Sequence, residues 1–412
     1  MTSVLFTPLE LGTGQTVKNR LFKSAMSEQL GDKDHNPTDK LLRLYRTWAQ
    51  GGIGISVTGN VFIDRSALGE PKNVVLDNES DLHKFRDWAA AGKESNTQIW
   101  MQLNHPGKQS PAFLSPEPVA PSPVPLEGGL SKAFNRPREL SDNEIRTIIS
   151  QFAASAGLAK KTGFSGVQIH GAHGYLVNQF LSPHHNRRED DWGGSSKNRM
   201  RFVVQIYKSI RQKVGNDFPV GIKLNASDFR DGGFTIEQAI EVAQTLEDLG
   251  IDLIEISGGS YEKPAMMGSR TMDDKEGYFM DYAIAMKKTL TTPLVLTGGF
   301  RSGAAMTDAL DNDVADIIGL ARPLALEPDF PNRLLSDPGH NITLPRLSTG
   351  IRRLDAMVAI PLTWYEYHLY TLGKGKPVNP KASEWKSVFL TFWRMGTHGF
   401  SQRRAKKAAP AH

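Results

Sequence analysis

The chain has no cysteine among its 412 residues. That absence removes disulfides, iron–sulfur clusters, thiolate zinc sites and thiol nucleophiles together. It also lacks any apolar run near the roughly 20 residues that a bilayer-spanning helix needs. The opening Met1-Thr2-Ser3-Val4-Leu5-Phe6-Thr7-Pro8 shows no basic region followed by a long apolar core, so a cytoplasmic protein without a signal peptide is expected. No GxGxxG motif opens the first helical pattern, which argues against an open dinucleotide-binding sheet. A general basic surface is missing too. From Lys381 to His412 there are seven Lys/Arg against one Glu, so this tail holds +6 of a net +5 and the rest of the chain sums to −1. A basic tail on a near-neutral body speaks against nucleic acid as a partner.

What is present is alternation. Short apolar runs at Arg20–Met26, Gly52–Thr58, Thr97–Leu103, Gly166–His170, Pro219–Leu224, Asp252–Ile256, Pro293–Thr297 and Ala315–Leu320 read as strands, with amphipathic helical segments between them. Two of those helices open on capping boxes, Ser141 with Glu144 and Thr235 with Gln238. Eight β/α alternations without a break predict an α/β protein built as a closed (β/α)8 TIM barrel over residues 1–340, followed by a helical extension over 341–412. The stretch from Asn104 to Leu140, after the third strand, holds eight of the 24 prolines and is too long for a connector, so it reads as a lid.

In such a barrel, chemistry belongs at the carboxyl ends of the strands. Ser27, Gln102, His170, Lys223, Gly298-Gly299 and Arg322 all fall there. The most informative run is His170-Gly171-Ala172-His173-Gly174-Tyr175-Leu176, in which two imidazoles and a phenol leave one strand within six residues. Neutral imidazoles can donate hydrogen bonds to one substrate oxygen, and a phenol of reference pKa about 10 keeps a proton to deliver at neutral pH. That set suits adding hydrogen to an activated double bond. Each residue alone also has a plainer reading. The histidines could be loop residues, or metal ligands with His184 and His185, although no carboxylate partner is evident and no metal is expected. Tyr175 could be a packed aromatic, Gln102 and Lys223 polar barrel filling, Gly298-Gly299 a turn and Arg322 half of a salt bridge.

Taken in order, the segments Asn19-Arg20, Gln102-Leu103-Asn104-His105, HGAHGYL with Gln179-Phe180-Leu181-Ser182-Pro183, Asn186-Arg187-Arg188, Trp192-Gly193-Gly194, Thr297-Gly298-Gly299-Phe300 and Ala321-Arg322-Pro323 resemble the old yellow enzyme family of FMN-dependent ene reductases and NADH:flavin oxidoreductases, from about Leu5 to Asp337. The resemblance implies bound FMN, a transient NADH or NADPH hydride donor and a small electron-poor alkene as substrate. By it, His170 and His173 hold the carbonyl or nitro oxygen and Tyr175 protonates the α carbon. Ala25, Met26, Ser27, Gly59 and Gln102 lie along the isoalloxazine ring, Lys223 faces its N1–C2=O edge, and Gly298, Gly299, Ala321 and Arg322 take the phosphate. Family members commonly have proline at Ala25, arginine at Lys223 and glycine at Ala321. Gln29 stands near the place of a substrate-binding tyrosine in one branch. Rival roles within this resemblance are a dienoyl reductase-like enzyme, which without cysteine holds no cluster, a tRNA-reducing flavin barrel, and a catalytically silent binding protein.

Two regions are open from sequence alone. After the sixth strand, Met266, Met267, Arg270, Tyr278 and Phe279 could line the substrate mouth, with Tyr278 as a substrate-binding residue, or Tyr278-Phe279 could begin a buried helix face. In the extension, Leu354–Leu372 contains Trp364, Tyr365, Tyr367 and Tyr370, and Trp385, Val388, Phe389, Phe392 and Trp393 recur at helical spacing ahead of Arg403-Arg404-Ala405-Lys406-Lys407. This stripe is expected to pack on the barrel or on a neighbouring subunit of a homo-oligomer; peripheral contact with an anionic membrane is the alternative.

Overall fold

A computed structural model describes residues 3–265 and 276–394. Eight strands form the expected barrel: β1 (Leu21–Lys23), β2 (Ile55–Val57), β3 (Gln98–Asn104), β4 (Gly166–Gly171), β5 (Val220–Asn225), β6 (Leu253–Ser257), β7 (Leu294–Thr297) and β8 (Ile317–Leu320). Each lies parallel to the next, and β8 pairs with β1, so the barrel closes. Every expected strand is present, with ends shifted by a few residues, the usual uncertainty of element boundaries. Both capping boxes form, at the starts of the helices Asp142–Lys161 and Ile236–Asp248.

The barrel interior changes character along its axis. At the amino-terminal end, Phe22, Ile55, Val57, Trp100, Leu253, Val295 and Ile317 make a dry cluster. Leu11 and Val17, from the hairpin that pairs Leu9–Glu10 with Thr16–Val17, close it from below. The Trp100 indole fits because its neighbours are glycines: a Cβ at Gly166 or Gly221 would stand 2.7 Å and 3.0 Å from its ring atoms. One turn of the pleat higher the filling is polar. Gln102 Nε2 donates to Gln168 Oε1 at 2.8 Å, Gln168 Nε2 to Glu255 Oε2 at 2.8 Å, and Thr297 Oγ1 to Glu255 Oε1 at 2.9 Å. Lys223 Nζ stands 3.1 Å from the same Glu255 oxygen. Every polar member of this layer has a partner, which is the condition for polar groups to survive in a low-dielectric interior.

Beyond Asn104, the segment to Leu140 holds only 3-10 turns and two two-residue strands, Val119–Ala120 and Arg138–Glu139, that pair with each other. In the extension the helix Ile360–Gly373 buries Trp364, Tyr365, Leu369 and Leu372 in the main core. It packs against the helix Asp39–Gln50, where Arg43 Nη1 donates to the Gly373 carbonyl at 3.0 Å. Among the described residues no helix is long and apolar enough to cross a membrane.

Candidate active site

The polar layer is the floor of a cavity of about 200 Å³ at the carboxyl end of the barrel. Gln102, Lys223, Ser24 and Thr297 form its base, Ala25, Met26 and Ser27 one side, and His170, His173 and Tyr175 another. A second compartment, of about 100 Å³, is lined by Gly298, Gly299, Gly319 and Tyr278. The two share Ser257, Thr297, Ala321 and Arg322, so they form one trough with a wide end and a narrow end.

The strand β4 delivers the three sequence-predicted reactive groups. Leaving the strand, the backbone takes φ 62° at His173, a left-handed conformation that costs a non-glycine residue roughly 1–2 kcal/mol. Three contacts offset that cost: the His173 N–H donates to Asn225 Oδ1 at 3.1 Å, its Nε2 lies 2.6 Å from Ser257 Oγ, and its backbone bridges to Ser260. The turn stacks the rings closely. The His170 centroid is 5.0 Å from that of His173 and 4.8 Å from that of Tyr175, both edge-on.

Burial, with Lys223 nearby, holds both imidazoles well below their ordinary pKa, so both are neutral at physiological pH. His170 Nδ1 accepts from the Ala172 N–H at 3.3 Å, which leaves its proton on Nε2 as a donor. His173 is different, because its Nε2 is engaged by Ser257. It offers a second donor, at Nδ1, in the tautomer where Ser257 donates to Nε2. Burial and the Glu70 carboxyl push the Tyr175 phenol well above its usual value, so it stays protonated. Its hydroxyl is 2.9 Å from that of Tyr261 and 3.5 Å from Asn60 Nδ2.

The trough suits FMN. The wide end offers a flat polar floor and the Lys223 ammonium. The narrow end is walled by backbone: Gly298 and Gly299 have φ of 145° and 80°, conformations that side chains disfavour, and Arg322 supplies a guanidinium beside them. Ten of the expected site residues line the wide end: Ala25, Met26, Ser27, Gln102, His170, His173, Tyr175, Lys223, Ala321 and Arg322. Three depart from expectation. Gly59 lines neither compartment; it lies under the Met26 carbonyl, with its N–H donated to Tyr45 Oη at 2.9 Å, and its neighbour Asn60 reaches the cavity instead. Tyr278 stands in the narrow end, where its N–H donates to the Gly298 carbonyl at 3.0 Å, apart from the histidine pair. The Ser27 hydroxyl is taken by Glu70, at 2.8 and 2.6 Å. Met266, Met267 and Arg270 lie outside the described residues.

The opposite wall went unread in the sequence. It comes from Glu70, Tyr261 and, on the helix Ile360–Gly373, Pro361, Leu362, Tyr365, Glu366 and Leu369. Gln29 Nε2 donates to Glu366 Oε2 at 2.8 Å, and Arg394 Nη1 lies 3.5 Å from the same oxygen. Burial and the facing Glu70 raise Glu366 to about 8, and burial raises Glu70 as well, so the pair resists carrying two negative charges. The long loop after β3 contributes nothing to the cavity lining; its Phe134 ring backs Tyr261 at 6.1 Å. The signal for Glu366 was a single acid inside the otherwise uncharged run Leu362–Leu372.

A closed barrel with this trough defines a flavin-dependent NAD(P)H oxidoreductase. The chain belongs to the NADH:flavin oxidoreductase / NADH oxidase family, whose model matches residues 4–339. It is 36% identical over 354 residues to the NADH-dependent flavin oxidoreductase iliE of Hypocrea jecorina (strain QM6a), covering 80% of this chain and 88% of that one. It is 37% identical over 382 residues to iccE of Talaromyces variabilis, also an NADH-dependent flavin oxidoreductase, covering 87% and 91%. The structure of the old yellow enzyme homologue from Zymomonas mobilis superposes with a TM-score of 0.70 at 26% identity, over 82% of this chain and 95% of that one.

Proposed function

We propose that the enzyme reduces the activated C=C bond of α,β-unsaturated carbonyl or nitro compounds, with His170 and His173 holding the oxygen and Tyr175 supplying the proton. The supporting observation is the convergence of two neutral imidazoles and one protonated phenol, all buried, on a cavity continuous with a glycine–arginine cradle. FMN, held by Gln102, Lys223, Gly298, Gly299, Ala321 and Arg322, supplies hydride equivalents drawn from NADH or NADPH.

The protein's part follows from electrostatics. As hydride adds to the β carbon, negative charge grows on the substrate oxygen. The His170 Nε2–H, and Nδ1–H of His173 backed by Ser257, stabilise that charge in a site where little water competes. Tyr175 gives its proton to the α carbon, and Tyr261 Oη, 2.9 Å away, donates to the phenolate that remains. Anaerobic stopped-flow spectroscopy tests this directly. Flavin reduced by NADH or NADPH is mixed with a panel of enones and nitroalkenes in the absence of oxygen. Rapid bleaching reversal with formation of the saturated product supports the reading; reoxidation only when oxygen is admitted defeats it.

A further inference from the structure

An ordinary surface helix turns its apolar stripe inward and its polar face to water. The last described helix, over residues 385–394, does the reverse. Its buried positions are Ser387, Val388 and Arg394, with Leu390 and Thr391 half-buried beside them; among the fully buried three only Val388 is apolar, and it packs with Val358 and Ile360. The outward arc is Trp385, Lys386, Phe389, Phe392 and Trp393. The four aromatics are 50%, 73%, 46% and 47% exposed, and Lys72 Nζ over the Trp393 ring at 5.5 Å covers little of them. The neighbouring helix Arg352–Met357, joined to this one through the same small cluster, exposes Ile351 and Met357 and carries Arg352 and Arg353. The expected packing of the stripe on the barrel is therefore not what the fold does, and four aromatics in one arc call for a cover.

Charge identifies the cover. From residue 341 onward there are twelve Lys/Arg and three Asp/Glu, so this region carries +9 and the first 340 residues −4. The tail beyond Arg394 adds Arg403, Arg404, Lys406 and Lys407 and no acid, and its only large apolar side chains are Met395 and Phe400. That tail has too little apolar surface to cover the arc itself. A second copy offering the same face would bring two strongly cationic surfaces together. An anionic bilayer supplies both things the face lacks, an apolar layer for Trp and Phe and negative charge for the flanking cations.

We propose that the helix 385–394 docks the enzyme on the surface of anionic lipid membranes, with Trp385, Phe389, Phe392 and Trp393 inserted at the headgroup level and the basic tail held by the lipid charge. The docking helix sits one ion pair from the substrate cavity, since Arg394 on its inner side reaches Glu366 in the cavity wall.

Co-sedimentation of the full-length holoenzyme with vesicles tests the proposal, using phosphatidylcholine alone and phosphatidylcholine with phosphatidylserine in a three-to-one ratio. The protein is expected to pellet with the mixed vesicles, to be released by high salt, and to stay in solution with phosphatidylcholine alone. The double variant Phe389→Glu, Trp393→Glu is expected to lose binding while keeping its flavin absorbance and its NADH oxidation. Truncation after Arg394 removes four cations and is expected to lower partition by about tenfold or more. Three results would overturn the proposal: no binding to mixed vesicles, equal binding to both compositions, or a dimer in solution that Phe389→Glu converts to monomer.

Discussion

The cavity has two walls of different origin. The β4 wall puts His170, His173 and Tyr175 within six residues, across the four-residue turn between the strand and the next helix, and its making is local. The wall opposite is assembled from distant parts of the chain: Gln29 meets Glu366 across 337 positions, and Glu366 meets Arg394 across 28. The first wall belongs to the segment that the family model matches, and the second lies partly beyond it. The groups proposed to carry the chemistry can thus be supplied by one turn. The opposite wall is completed by a helix packed on from outside the barrel.

Breaking the first wall should have the largest consequences. His170→Ala removes the donor whose tautomer is fixed by the Ala172 N–H. The alkene half-reaction is expected to slow by about 10²–10³-fold in single-turnover measurements, the usual loss for one oxyanion donor. The floor ranks next. Glu255→Ala leaves the Lys223 ammonium buried without its carboxylate, and denaturant unfolding of the protein is expected to show a loss of about 3–5 kcal/mol.

The second wall should respond in stability and in binding rather than in chemistry. Glu366 is raised from 4.5 to about 8, so the folded protein keeps a proton there that the unfolded chain has released. Its contribution to stability therefore falls as pH rises from about 4.5 to about 8 and is level above that. In Glu366→Gln the decline is removed and Glu70 takes over as partner to Arg394. The variant's melting temperature is expected to exceed that of the wild type at pH 9 and to vary less between pH 6 and pH 9. An unchanged pH slope would show that Glu366 does not hold an extra proton in the folded protein. The smallest effect belongs to the apolar part of this wall. Leu369→Ala enlarges the cavity without touching a proton or a donor, so KM for a bulky enone is expected to change several-fold with kcat nearly constant. A fall in kcat instead would mean that this helix positions the reacting atoms.

The same contrast explains what could be read in the sequence. All eight strands were legible because a parallel barrel writes each one as a short apolar run followed by a helical pattern with its own caps, so Ser141–Glu144 and Thr235–Gln238 needed no tertiary information. Gln102 and Lys223 were legible because polar residues at strand ends stand out from buried β-branched runs. Glu70 and Tyr261 sit in irregular loops where nothing local distinguishes a lining residue from a surface one. The helix Ile360–Gly373 was recognisable as apolar and aromatic, but a hydrophobic helix does not state what it packs against. The stripe at Trp385–Trp393 shows the limit most clearly: its periodicity is real, and its direction, outward, is decided by Val358, Ile360 and Val388.

The proposed acid is the phenol of Tyr175, and half-reaction kinetics of Tyr175→Phe measure that most directly. Reduction of the flavin by NADH or NADPH is expected to proceed at close to the wild-type rate, because no proton is needed from this side chain in that step. Reoxidation by an enone is expected to slow by about 10²-fold or more. Equal slowing of both half-reactions, or no slowing of either, would contradict the assignment.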